Sequence, residues 1–154
     1  IWCFNGESYF LKWSSNPTKG YFKQEYLRSK DDYPDFNKMI LVEYLEDVQP
    51  FDALMAKVNE LNEMKKKAPA TNYELIKSPD GKEFIIDFLV SNGEIYEWNV
   101  YKLISNKKGT IMYGFSFRSS ENGEFTETAF FSNLKEKRTK FINLMIGTKI
   151  QTDI

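Results

Sequence analysis

The chain has 154 residues, of which 42% are hydrophobic, 28% charged and 16% aromatic, and a formal charge of −1. That length suits one domain able to bury enough surface to fold without disulfides or metal, and the composition is globular, not disordered. The near-zero charge excludes strong whole-molecule attraction to nucleic acid or to an acidic membrane, and no apolar run approaches the roughly 18 residues of a membrane span.

The N-terminal third reads as extended segments. Ser8–Trp13 and Tyr21–Leu27 flank the turn formers Asn16-Pro17-Thr18-Lys19-Gly20. Asp31-Asp32-Tyr33-Pro34 makes a loop before a third extended segment, Lys38–Leu45. A helix follows from about Pro50 to Lys67, because Phe51, Leu54, Val58, Leu61 and Met64 recur at helical spacing. Pro50 suits the first helical position, Asp52 the positive end of the helix dipole and Lys65–Lys67 its negative end, and Pro69 blocks continuation.

The middle of the chain predicts a four-stranded antiparallel meander. Tyr73–Lys77, Glu83–Val90, Ile95–Ile104 and Thr110–Arg118 are rich in aromatic and β-branched residues. Turn signals separate them at Ser78-Pro79-Asp80-Gly81, Asn92-Gly93 and Asn106-Lys107-Lys108-Gly109, with Asn92-Gly93 suited to a tight hairpin. In the last strand Ile111, Tyr113, Phe115 and Phe117 share one face, and Met112, Gly114, Ser116 and Arg118 the other. A second helix spans about Thr128–Ile146, with a stripe of Phe130, Leu134, Phe141, Leu144 and Met145 and with Gly147 placed to end it. The reading is a single α+β domain, an antiparallel β-sheet with two helices packed on it in the order β-β-β-α-β-β-β-β-α. Both stripes should face the sheet, burying Phe51, Leu54, Leu61, Leu134 and Phe141.

That element order, with the blocks Met39-Ile40-Leu41-Val42-Glu43-Tyr44 and Ile111-Met112-Tyr113-Gly114-Phe115-Ser116-Phe117, resembles the PsbP-like fold. The fold is shared by extrinsic photosystem subunits, a Ran-binding nuclear factor and several small exported bacterial proteins. The resemblance implies a non-enzymatic binding or assembly protein working outside the cytoplasm, periplasmic or secreted. A start at Ile1 instead of Met leaves room for an export signal upstream.

Histidine is absent, which removes Ser-His-Asp and Cys-His nucleophiles, His general bases and nearly every zinc or non-haem iron site. With Cys3 the one cysteine, thiolate metal centres and an internal disulfide go too. The expectation is no cofactor, no metal and no catalytic residue. Ser-x-x-Lys occurs at Ser105…Lys108 and Ser132…Lys135, a spacing that this many serines and lysines produce by chance. Carboxylates cluster at Asp31-Asp32…Asp35 and at Glu121…Glu124…Glu127, but neither cluster has the alternating pattern of a calcium loop. No glycine-rich phosphate motif occurs. The basic run Lys135, Lys137, Arg138 and Lys140 reads as the water-facing side of the second helix.

What is left is aromatic surface. Along the Ile95–Ile104 strand, Tyr96, Trp98 and Val100 alternate with Glu97, Asn99 and Tyr101, and Lys102 follows. If both helices cover one sheet face, the other stays partly open, and Tyr96, Glu97, Trp98, Asn99 and Tyr101 become candidates for binding a protein partner, with aromatic anchors in a polar rim. Ordinary sheet amphipathicity accounts for the same pattern. The leading expectation is a non-catalytic binding module with a protein partner, no nucleic acid and no membrane insertion. The alternative is a small enzyme or ligand carrier using carboxylate or lysine chemistry in a sheet–helix pocket. A closed pocket with convergent charged side chains would favour the alternative, a flat aromatic patch the first.

Overall fold

A computed structural model of the chain describes residues 1–106 and 108–149. The elements are β1 (Trp2–Phe4), β2 (Glu7–Thr18), β3 (Tyr21–Leu27), β4 (Lys38–Glu46), α1 (Pro50–Lys67), β5 (Asn72–Lys77), β6 (Phe84–Ser91), β7 (Tyr96–Asn106), β8 (Gly109–Arg118) and α2 (Glu127–Gly147). All strands pair antiparallel in one eight-stranded sheet, ordered β1-β2-β3-β4-β8-β7-β6-β5. Two four-stranded meanders therefore meet at the β4–β8 seam. The α+β class, the meander and both helices follow the sequence pattern. The strand count does not: the order is β-β-β-β-α-β-β-β-β-α, because β1 is three residues long and too short to show a period.

Two turns also depart from expectation. β2 runs through the presumed loop as far as Thr18, with register shifts between Leu11 and Trp13 and between Ser15 and Thr18. Such irregularity on an outer strand accommodates Pro17. At Asn92-Gly93 only Gly93 has positive φ, and Ser91 pairs with Tyr96 across four residues. The Asn92 side-chain oxygen accepts the backbone N–H groups of Glu94 and Ile95, at 3.0 and 2.9 Å, so a side chain organises a wider loop.

The helices lie on opposite faces of the sheet. α1 packs Ala53, Leu54, Val58 and Leu61 against Leu41, Ile86, Leu103 and Met112. α2 packs Phe130, Leu134, Phe141 and Met145 against Trp98, Val100, Tyr113 and Phe115. Alternation leaves large apolar side chains on both faces of β6 and β7, so each face needs a cover. Leu54, Leu61, Leu134 and Phe141 are buried as expected, but Phe51 is 57% exposed. It sits in the first turn of α1, where its ring meets only the margin of the sheet at Phe84.

Ion pairs tie the α2 face together. Arg138 Nη2 donates to Asp87 Oδ1 and Oδ2 at 2.7 and 3.0 Å, and Trp98 Nε1 donates to the same Asp87 Oδ1 at 3.2 Å. Arg138 is thus a tie from helix to sheet, not part of a purely solvated basic face. At one end of the sheet, buried Arg28 donates to Asp31 at 2.7 Å and to Glu7 at 2.9 Å, while Lys38 Nζ reaches Glu7 at 2.7 Å. Asp31 and Glu124 from the two acidic clusters both pair with Arg28, so both are spent on structure. Among the described residues no group of acidic or thiol side chains is placed to hold a metal. No helix among them is long and apolar enough to cross a membrane.

Candidate functional site

The site follows from how the two faces of β7 and β8 differ. On the α2 side, β8 presents Ile111, Tyr113, Phe115 and Phe117, and the space fills with aromatic rings. On the α1 side it presents Met112, Gly114, Ser116 and Arg118, and β7 adds Glu97, Asn99 and Tyr101 beside them. Small and polar residues there cannot fill the gap beneath the helix. A cavity of about 390 Å³ remains between the C-terminal half of α1, the sheet and the loop joining β3 to β4. Its floor is Asn99, Tyr101 and Ser116, flanked by Met39, Leu41 and Phe88. α1 contributes Lys57, Glu60, Leu61 and Met64, and the loop contributes Tyr33 and Phe36.

Tyr101 and Gly114 are cross-strand partners, and a Cβ on Gly114 would lie 2.4 Å from the Tyr101 ring. The missing side chain is what lets that ring approach β8 so closely. Phe88 meets Tyr101 edge-on at 5.3 Å, and Lys57 Nζ stands 5.7 Å from the centre of each ring. Burial holds the Tyr101 phenol well above its ordinary pKa, so it is neutral.

The rim is charged but balanced. Arg118 lies 4.3 Å from the Phe36 ring centre and pairs with Glu97 at 3.3 Å. Lys57 pairs with Glu60 at 3.2 Å, and Lys23 with Glu25 at 3.7 Å. Tyr33 donates its hydroxyl to Glu25 at 2.6 Å, linking the loop to β3. The floor has one unfinished group. The Ser116 hydroxyl donates to Asn99 Oδ1, while Asn99 Nδ2 is buried with no hydrogen-bond partner among the described residues.

The five candidate residues divide between the faces. Glu97, Asn99 and Tyr101 line the cavity. Tyr96 packs its ring on Phe131 at 4.8 Å, on the α2 side. Trp98 is 2% exposed beneath α2 and donates to Asp87, so it belongs to the core and cannot touch a partner. A flat aromatic sheet face would have required both helices on one side, and α2 closes the face that carries Trp98. Lys102, taken as part of the same surface, instead donates to the backbone oxygens of Ile146 and Thr148 at 2.9 and 2.8 Å, at the C-terminus of α2.

Sequence reasoning did not single out Tyr33, Phe36, Lys57 or Ser116. A signal was present in the small face of β8, since Gly114 and Ser116 interrupt a strand otherwise filled with large side chains. The β2–β3 register puts exposed Leu11 and Phe22 on one face and exposed Phe10 and Trp13 on the other. The Ser105, Lys108, Ser132 and Lys135 side chains are exposed and outside the cavity.

A family model matches residues 3–150, nearly the whole length, and the chain belongs to that family, an uncharacterised one. No curated protein matches the chain.

Proposed function

We propose that this protein is a non-catalytic binding module whose site is the cavity between α1 and the sheet. The observation that carries the reading is a concave space of about 390 Å³ beneath α1, walled by Phe36, Phe88 and Tyr101 with Asn99 and Ser116 at its floor. Binding sites combine this kind of apolar wall with a few fixed polar groups.

The surrounding chemistry favours holding over turnover. The chain has no histidine. Glu25, Glu60 and Glu97 are each engaged by a cation, and the Ser116 hydroxyl points its proton at an amide oxygen with no base beside it. A general base or an activated nucleophile needs a free partner in reach. The cavity and its paired charges support a carrier or receptor for a small molecule, the ligand-carrying reading.

The test is retention. Purified protein incubated with an extract of its source cells, washed and denatured should release a compound detectable by mass spectrometry. Met64→Trp, which enlarges a half-exposed lining residue on α1, should lose that compound with its melting temperature nearly unchanged. Equal retention by both proteins would place binding outside the cavity.

A further inference from the structure

We propose that β5 is a self-association edge, at which two copies of this chain join their sheets by antiparallel β5–β5 pairing about a two-fold axis. The sheet is open, with β1 and β2 at one side and β5 at the other. The two edges are built differently. On the β2 side, β1 covers Glu7–Tyr9, and the rest of β2 carries Lys12, Pro17 and two register shifts. Features of that kind keep an edge from adding a strand. β5 has none of them in its interior. Asn72–Lys77 pairs residue for residue with Phe84–Leu89, without a shift or a proline, and Lys77 stands only at its end. Its internal charge, Glu74, is taken up by Arg138 of α2 at 2.9 Å. Among the described residues no strand meets its outer side.

Both core layers also run out at this edge. Leu75 lies beside buried Ile86 of the layer under α1, and Ile76 beside buried Ile85 of the layer under α2. Leu75 is 47% exposed and Ile76 41%. A strand added here extends both layers at once. The strand that fits is β5 itself. Directly opposed residues of an antiparallel pair share a face, and a two-fold axis at Leu75 meets that condition along the whole strand. Leu75 of one copy then opposes Leu75 of the other, Glu74 opposes Ile76, and the Tyr73 ring opposes the Lys77 ammonium. No charge opposes a like charge. The irregular β2 edge offers β5 no matching register, so the pairing closes as a dimer and does not run on into a filament. No β5 residue lines the cavity under α1, so this association is independent of what the cavity holds.

The experiment is sedimentation velocity on the full chain, with amide hydrogen exchange read at each concentration. From about 10 µM to about 1 mM, where so small an interface associates, the wild type should show a reversible monomer–dimer equilibrium. Exchange in β5 should slow as the dimer forms. Leu75→Lys, at an exposed position, sets two ammonium groups on the axis and should weaken the dimer about tenfold or more, with the melting temperature of the dilute chain unchanged. Trp13→Lys on β2 should leave the dimer intact. The wild-type exchange pattern decides the matter if Leu75→Lys fails to fold. A chain that stays monomeric at the highest concentration would overturn the proposal, as would a dimer that survives Leu75→Lys or is lost in Trp13→Lys. Growth beyond the dimer would overturn two-fold closure. Protection of β5 only after an extract of the source cells is added, with the purified chain monomeric, would assign the edge to a foreign strand and overturn self-pairing.

Discussion

Gly114 shows how a single absent side chain shapes the site. With no Cβ it lets the Tyr101 ring settle on the neighbouring strand, and any larger residue meets that ring at 2.4 Å. Gly114→Ala should therefore destabilise the fold by about 1–3 kcal/mol through overpacking, seen as a lower urea midpoint. An unchanged midpoint would mean the ring moves aside freely. Glu43 lies on β4 on the same face, nearly buried. Burial raises its carboxyl pKa above the ordinary 4.5, more than nearby Lys23 and Lys57 lower it. A raised carboxyl favours the fold below pH 4.5, and that contribution is lost as pH climbs through the folded-state value. Glu43→Gln should thus raise the denaturation midpoint at pH 7 and give no gain below about pH 4.5. Glu7 has the opposite sign. Burial alone would raise it, but hydrogen bonds and charge from Lys38 and Arg28 outweigh that and hold it below 4.5. Its contribution is present at neutral pH and fades as pH falls below 4.5, so Glu7→Gln should flatten the acid limb of the stability curve.

At the scale of elements, the C-terminus of α2 ends without a basic residue in its last turn. Lys102, reaching up from β7, supplies the missing positive charge and bonds two of the free carbonyls. Lys102→Met should cost about 1–2 kcal/mol and speed amide hydrogen exchange in the last turn of α2 while leaving α1 unchanged. Uniform exchange changes in both helices would instead mark a general loss of packing. The sequence reading explains this blind spot. Periodicity located α1 at its observed ends and the meander strands to within a residue or two, because apolar spacing is a local property. It could not show which face each helix would take. That choice shows only in tertiary packing: α1 sits over Leu41, Ile86 and Leu103, and α2 over Trp98, Val100 and Tyr113. Lys102 and Trp98 alternate on one face of a strand, and only the placement of α2 shows that this face is closed.

For the whole molecule, the same placement decides where function can lie. One face of the sheet is packed with aromatic rings under α2, and the other is packed at one end by α1 and left hollow at the other. Glu97, Asn99 and Tyr101 were legible as candidates because they mix charge, amide and ring on one strand face. Their partners in the site come from β3, β4, β6, β8, α1 and a loop, as far off in the chain as Lys23, and no local pattern joins them. The central claim is that this hollow binds a small molecule. The most direct measurement is a crystal structure of the protein loaded with the compound it retains from its source extract. The compound should lie between Tyr101, Phe36 and Met64. A compound seated against α2 or on the β2–β3 hairpin, with the cavity between α1 and the sheet vacant, would contradict the claim.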